Sequence, residues 1–302
     1  MSRRPAALLA LGAAVTVVAL TLAGCTTRVA DPPGKVQVVA STDVYGSLAT
    51  TIGGSFVTVT SIIDDPAKDP HEYQADARTQ LAISRAQIVV ENGGGYDDFV
   101  DTMLSASGNT KATVVNAVTL SGYDAKAAGF NEHVFYDYPT VGKVIDALAA
   151  EFITADPSHS ATYADRGGKL RIQLNTLENS EKNLAATTTG VGAAITEPVP
   201  NYVLQALGMK IVTPTAFSEA IEQSTDAPAT VLEQTLATLR NGDAKVLVYN
   251  VQTSGPQTDA VLAAAKKAAV PAVPVSETLP SGFTYIEWQK GVLATIAQAL
   301  AT

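Results

Sequence analysis

The chain has 302 residues, 46% of them hydrophobic and 16% charged. That is enough for one large domain or two small ones with real cores, and too apolar for a disordered tail. Twenty Lys and Arg against 29 Asp and Glu give a formal charge of −9, which argues against a nucleic-acid binder, because such a protein needs a basic face to displace counterions. A single cysteine excludes an intrachain disulfide framework and a thiolate metal cluster, and three histidines cap the imidazole ligands of any one site.

Arg3 and Arg4 precede an apolar run from Ala6 to Leu22 that ends in Leu22-Ala23-Gly24-Cys25. This is the basic, apolar, small-residue order of a secretory signal. The small pair before the only cysteine resembles a bacterial lipobox, so residues 1–25 are expected to be a lipoprotein signal peptide and Cys25 the lipidated residue. The other reading is an uncleaved membrane anchor, for which the run is short of the ~20 residues that span a bilayer. Removing residues 1–25 removes two arginines and no acids, leaving an acidic exported part. Residues 26–35, with Asp31-Pro32-Pro33-Gly34, read as a tether.

From Val36 short β-rich runs alternate with helical patterns. Strands are expected at 36–40, 56–63, 87–91 and 112–116, with helices at 45–52, 77–86 and 96–105 between them. Each helix is then a crossover, which implies a parallel sheet. Residues 140–153 are helical, with Val141, Val144, Ile145, Leu148 and Phe152 on one face. A long polar stretch, 160–187, follows Asp156-Pro157 and carries Leu170, Leu174, Leu177 and Leu184 at helical spacing. Such a helix suits a connection between two lobes. The alternation then restarts, with strands at 190–196, 245–249 and 272–275, helices at 199–207, 231–239 and 258–269, and an amphipathic helix at the C-terminus. The expected fold class is α/β: two lobes, each a mostly parallel sheet flanked by helices, joined by one long connecting helix. The expected division is an N-terminal lobe at 36–157, the connecting helix at 158–188 and a C-terminal lobe at 189–302. No sequence repeat is visible.

Several catalytic signatures are absent. His71-Glu72 starts like a zincin motif, but Ala75 stands where its second histidine would be. There is no G-x-S-x-G elbow. Gly93-Gly94-Gly95 lacks the Lys-Ser/Thr of a phosphate loop, and Gly190-Val191-Gly192 lacks the third glycine of a dinucleotide fingerprint. These glycines suit turns and close helix–sheet packing.

Open α/β sheets hold ligands just outside the carboxyl ends of their strands. Four metal-ligand side chains fall in such loops: His71, His133, Glu197 and Glu277. Singly, each is ordinary: an exposed loop histidine, a capping histidine, a helix N-terminal acid and a loop acid. Together they put two imidazoles in the first lobe and two carboxylates in the second. Neutral imidazoles and ionised carboxylates suit a borderline first-row metal, and two carboxylates balance its charge. Four protein ligands around the ion favour carriage over chemistry, since a catalytic zinc keeps one position open.

The segments Asp69-Pro70-His71-Glu72-Tyr73, Ile88-Val89-Val90-Glu91-Asn92-Gly93, Asn131-Glu132-His133-Val134-Phe135-Tyr136-Asp137, Thr196-Glu197-Pro198-Val199-Pro200-Asn201-Tyr202 and Ser276-Glu277-Thr278-Leu279-Pro280 carry a resemblance. In order, and over essentially the whole exported part, the chain resembles the substrate-binding lipoproteins of zinc/manganese ABC transporters, the cluster A-I group. The resemblance implies His71, His133, Glu197 and Glu277 as metal ligands. At the fourth position the family usually has Asp, so Glu277 departs from it, and Asp259 and Glu219 are the fallbacks. Gln74-Ala75 depart from the family pattern at the rim of the first loop. Asp69, Glu132 and Asp137 are candidate acceptors for the other N–H of a ligating histidine. His159 reads as a surface residue.

The resemblance further implies no enzyme activity, a transported Zn²⁺ or Mn²⁺ with iron below both, and an ABC transporter permease and its ATPase as partners. It implies a monomer that does not bind nucleic acid, exported and lipid-anchored to the outer face of the cell membrane or periplasmic. The two-carboxylate set is similar to that of the manganese carriers, while intrinsic affinity favours zinc. The competing readings are a metal-dependent hydrolase or oxygenase, and a surface adhesion lipoprotein with a vestigial site.

Overall fold

A computed structural model describes residues 34–65, 73 and 76–301. The signal peptide, Cys25 and most of the tether lie outside the described residues, and so does His71. No described helix is long and apolar enough to cross a membrane.

The first half runs β1 (Val36–Thr42), α1 (Asp43–Gly53), β2 (Val57–Ile63), α2 (Ala77–Arg85), β3 (Ile88–Glu91), α3 (Phe99–Ser107), β4 (Thr113–Asn116), α4 (Ala117–Ser121) and α5 (Tyr138–Ala155). The 29-residue helix α6 (Ser160–Thr188) follows. The second half is β5 (Gly192–Ile195), α7 (Asn201–Ala206), β6 (Lys210–Ile211), α8 (Thr215–Glu222), α9 (Ala229–Arg240), β7 (Val246–Asn250), α10 (Pro256–Lys267), β8 (Ala272–Val275) and α11 (Tyr285–Leu300).

The strands form two four-stranded sheets with the orders β2-β1-β3-β4 and β6-β5-β7-β8, and every pairing is parallel. The two halves therefore share one strand order, although the sequence shows no repeat. Parallel pairing sends all carboxyl ends of a sheet to one edge, and the order reverses beside the first strand of each, where crossovers leave in opposite directions and open a crevice. The strand cores are continuous apolar runs because helices cover both faces: Ile88, Val89 and Val90 of β3, and Val246, Leu247 and Val248 of β7, are all buried.

Helix α6 ties the halves together. It buries Tyr163, Gly167, Leu170, Leu174, Leu177 and Glu181 along one stripe. One hydrophobic cluster runs from Val38 and Val90 of the first sheet, through Val144 and Leu148 of α5 and Leu170 and Leu174 of α6, to Ile195 and Val248 of the second sheet. Two smaller clusters cover the outer faces.

Most expected elements are present within a few residues of their expected bounds. Helices α4 and α8 and the two-residue strand β6 were not expected. His159 is at the surface as expected, its side chain 38% exposed, but it is not idle: its ring stacks on Phe56 at 3.7 Å, and its Nδ1 pairs with Asp156 Oδ2 at 2.6 Å. It anchors the start of α6 instead of facing solvent alone.

Candidate metal site

The carboxyl edges of the two sheets carry the candidate side chains. His133 lies in the loop that leads into α5, directly before a 3₁₀ turn, Val134–Tyr136. Its ring is fully buried and stands edge-on to Tyr96, with centroids 5.8 Å apart. That loop is pinned from β3: Asn92 Nδ2 donates to the Glu132 carbonyl at 2.8 Å, while Asn92 Oδ1 accepts from the Tyr45 hydroxyl at 2.6 Å. Asp97 accepts from the backbone N–H of Asn92 and of Gly93, both at 2.7 Å. Gly93 has φ 76°, and a Cβ there would collide with the Asn116 side chain. The glycine run is thus a turn that lets the loop close over β3 and β4.

His133 Nδ1 donates to Asn131 Oδ1 at 2.7 Å. A carboxamide oxygen can only accept, so this bond fixes the proton on Nδ1 and turns Nε2 toward the crevice. The expected acceptors do other work. Asp137 caps α5 through the Thr140 N–H and accepts from the Tyr123 hydroxyl. Glu132 contributes its carbonyl to Asn92. Asp69 lies outside the described residues.

The second half supplies the carboxylates. Glu277 follows β8 by two residues and is 1% exposed. Its Oε1 accepts from Asn250 Nδ2 at 2.8 Å, at the end of β7. Its Oε2 stands 3.5 Å from His133 Nε2. Glu197 follows β5 by two residues and is buried; among the described residues its Oε2 has no hydrogen-bond partner. Burial and the nearby Glu222 carboxylate push the Glu197 carboxyl up to about 7.

Glu222, at the last turn of α8, is the residue that sequence reasoning missed. Its Oε1 stands 3.3 Å from His133 Nε2. The available signal was the Phe217 and Ile221 pair, four apart and both buried, which makes a short amphipathic helix whose end faces the crevice. The two fallback acids, Glu219 and Asp259, are exposed, and neither meets His133.

Burial by itself would push the His133 imidazole down, but Glu222 and Glu277 outweigh it and raise the group to about 9. Among the described residues no group of three or more His, Cys, Asp or Glu side chains is placed to hold a metal ion; the described donors form two close pairs that share His133. The donor set nevertheless suits a divalent cation. Buried carboxylates crowded together raise one another's pKa, and a 2+ charge at their centre relieves that repulsion. His71 lies outside the described residues. Tyr73, two residues on, is fixed by its hydroxyl bond to Thr79 Oγ1 at 2.8 Å and by its ring 4.6 Å from Phe99.

The halves also meet around the site. Asn131 Nδ2 donates to the Pro198 carbonyl at 3.2 Å, and the Tyr202 hydroxyl donates to the Asn131 carbonyl at 2.7 Å. The Tyr136 hydroxyl donates to the Ser276 carbonyl at 2.8 Å. The bonds to Pro198 and Ser276 join the His133 segment to the loops that carry Glu197 and Glu277, and the bond from Tyr202 joins it to α7.

Comparison with known proteins gives a consistent picture. The manganese-binding lipoprotein MntA of Bacillus subtilis is 29% identical over 185 residues, 58% of this chain and 59% of that protein. MntA of Halalkalibacterium halodurans is 22% identical over 167 residues, 54% of this chain and 55% of that protein. The chain thus spans less than two thirds of the length of these curated relatives. Among solved structures, the periplasmic zinc binding protein TroA of Treponema pallidum superposes with a TM-score of 0.75 at 18% identity, covering 89% of this chain and 100% of that one. FpvC of Pseudomonas aeruginosa in complex with Mn²⁺ gives 0.72 at 20% identity, over 88% and 98%. At these identities the structural likeness concerns the fold. The model of one family, described as zinc-uptake complex component A, periplasmic, matches residues 38–299, and with all eight strands but the start of one inside that span, the chain belongs to that family.

Proposed function

We propose that the protein is an extracytoplasmic carrier that captures a divalent transition-metal ion, Zn²⁺ or Mn²⁺, between its two halves and delivers it to an ABC importer. One observation carries this reading: the fully buried His133 of the first half faces carboxylates of the second half at 3.3 and 3.5 Å. An ion held there is bound by both halves at once. His71, His133, Glu197 and Glu277 are the proposed ligands, with lobes at 36–157 and 189–302 and the connecting helix at 158–188. The family's uptake role and the Mn²⁺ and zinc named for the relatives support this reading over an enzyme. The permease and its ATPase are the proposed partners, and a lipid on Cys25 is the proposed tether to the outer face of the membrane.

The test is element analysis of the purified protein followed by calorimetric competition between Zn²⁺ and Mn²⁺. The expected result is one ion per chain, with binding sharply weakened in His71→Ala and His133→Ala. A protein that takes up neither ion overturns the reading.

A further inference from the structure

Resting on that carrier reading, we propose that Glu222 is an additional carboxylate ligand of the transported ion, and that it shifts the site's selectivity toward Mn²⁺ relative to Zn²⁺. The argument begins with distance. A protonated imidazole paired with a carboxylate sits at about 2.7–2.9 Å. The separations from His133 Nε2 are 3.3 Å to Glu222 Oε1 and 3.5 Å to Glu277 Oε2. These are long for charge-assisted hydrogen bonds. Two donors each about 2.1 Å from one ion, at tetrahedral or octahedral angles, stand about 3.0–3.4 Å apart, so the Glu222 separation matches the edge of a coordination polyhedron and the Glu277 separation lies just beyond it. Glu222 therefore fits that edge at least as well as Glu277, and approaches from a different element, α8 against the loop after β8.

Placement supports the assignment. The Glu222 side chain is 12% exposed and lines the cleft between the halves with Asn131, Glu132, Pro198, Asn201 and Glu219. The helix that carries it is held down by Phe217 and Ile221, so its last turn is fixed against the second sheet. Glu222 is also the leading carboxylate acting on Glu197, and with Glu277 it is one of the carboxylates acting on His133. It lies within electrostatic reach of both halves of the ligand set.

The consequence is chemical. Among the described residues His133, Glu197, Glu277 and Glu222 give one nitrogen and three carboxylates. Zinc is satisfied by four donors and binds imidazole well. Manganese prefers more oxygen donors and higher coordination. A third carboxylate therefore contributes more to Mn²⁺ than to Zn²⁺ and narrows the intrinsic advantage of zinc without removing it.

The experiment is calorimetric titration of purified wild type, Glu222→Ala and Glu233→Ala with MnCl₂ and, through a competing chelator, with ZnSO₄. In Glu222→Ala the Kd for Mn²⁺ is expected to rise by about tenfold or more and that for Zn²⁺ by less than about threefold. Glu233→Ala removes the same charge from α9, where the side chain is 63% exposed and pairs with Arg240, and is expected to leave both within about twofold. An unchanged Mn²⁺ affinity in Glu222→Ala, equal losses for the two ions, or an equal effect from Glu233→Ala overturns the assignment. If wild type itself binds neither ion, the carrier reading fails first; if wild type binds and Glu222→Ala behaves like it, only this inference fails.

Discussion

Asn131 shows how much of the site rests on a neutral side chain. Its Oδ1 fixes the His133 proton, its Nδ2 reaches the Pro198 carbonyl, and its own carbonyl receives the Tyr202 hydroxyl. The sequence pointed to the acids around it, Asp69, Glu132 and Asp137, because a carboxylate is a common acceptor for a ligating imidazole. In this crevice a further negative charge would add to the repulsion among Glu197, Glu222 and Glu277, while an amide orients the ring without adding charge. Position 131 opens the Asn131–Asp137 segment that carries the resemblance, but its role depends on a two-residue turn that places Oδ1 under Nδ1, and no spacing rule gives that. Asn131→Ala is expected to weaken metal binding by about 10–100-fold while the metal-free protein keeps its circular dichroism spectrum. Calorimetric affinity equal to wild type would remove Asn131 as a positioning residue.

The long elements were the legible ones. The stripe of Leu170, Leu174 and Leu177 gave α6, and the β-rich runs gave most of the strands, because periodicity accumulates over many residues. Helix α8 was missed because eight residues with two buried apolar side chains barely exceed one stripe position, and β6 is only two residues long. That omission hid Glu222. Helix α6 carries a second feature that periodicity alone conceals: Glu181 occupies a core position of the stripe, 6% exposed. Burial pushes its carboxyl up to about 8, with Asp137 and Glu178 adding to the rise and Lys182 opposing it. Tyr138 of α5 and Tyr285 of α11 are the ionisable groups facing it from the other helices. In the unfolded chain the group titrates near 4.5. Between those two values the folded chain keeps a proton that the unfolded chain loses, so its contribution to stability falls as pH rises, by up to about 1.4 kcal/mol per pH unit. Glu181→Gln is therefore expected to gain on wild type progressively from pH 5 to pH 8. The check is the urea midpoint of both proteins across that range. A difference between them that does not change with pH would contradict it.

At the scale of the molecule, the repeated strand order and the shared core pull in different directions. Two sheets with the same topology suggest two units that could move as separate bodies. The apolar cluster, however, passes without a break from Val90 through Leu148 and Leu174 to Val248. Hydrogen bonds reinforce it away from the site: the Leu279 N–H donates to Asp43 Oδ1 and the Tyr285 N–H to Ser47 Oγ, both at 3.0 Å, and the Tyr285 hydroxyl donates to the Phe135 carbonyl at 2.7 Å. Separating the halves would expose buried side chains of α5, α6 and α11, and the hydrophobic cost of that opposes a wide opening. On the proposed carrier reading, ion capture would act on a scaffold that is already joined, and the binding energy would appear as stability of the whole. The metal-free protein is expected to melt in a single calorimetric transition. Mn²⁺ at about a hundred times its Kd should add about 2.7 kcal/mol, which for a chain of this size raises the midpoint by about 5 °C, still as one transition. Two resolved transitions, with only one of them moving on addition of metal, would mean that the sheets fold and unfold independently and that the shared core does not couple them.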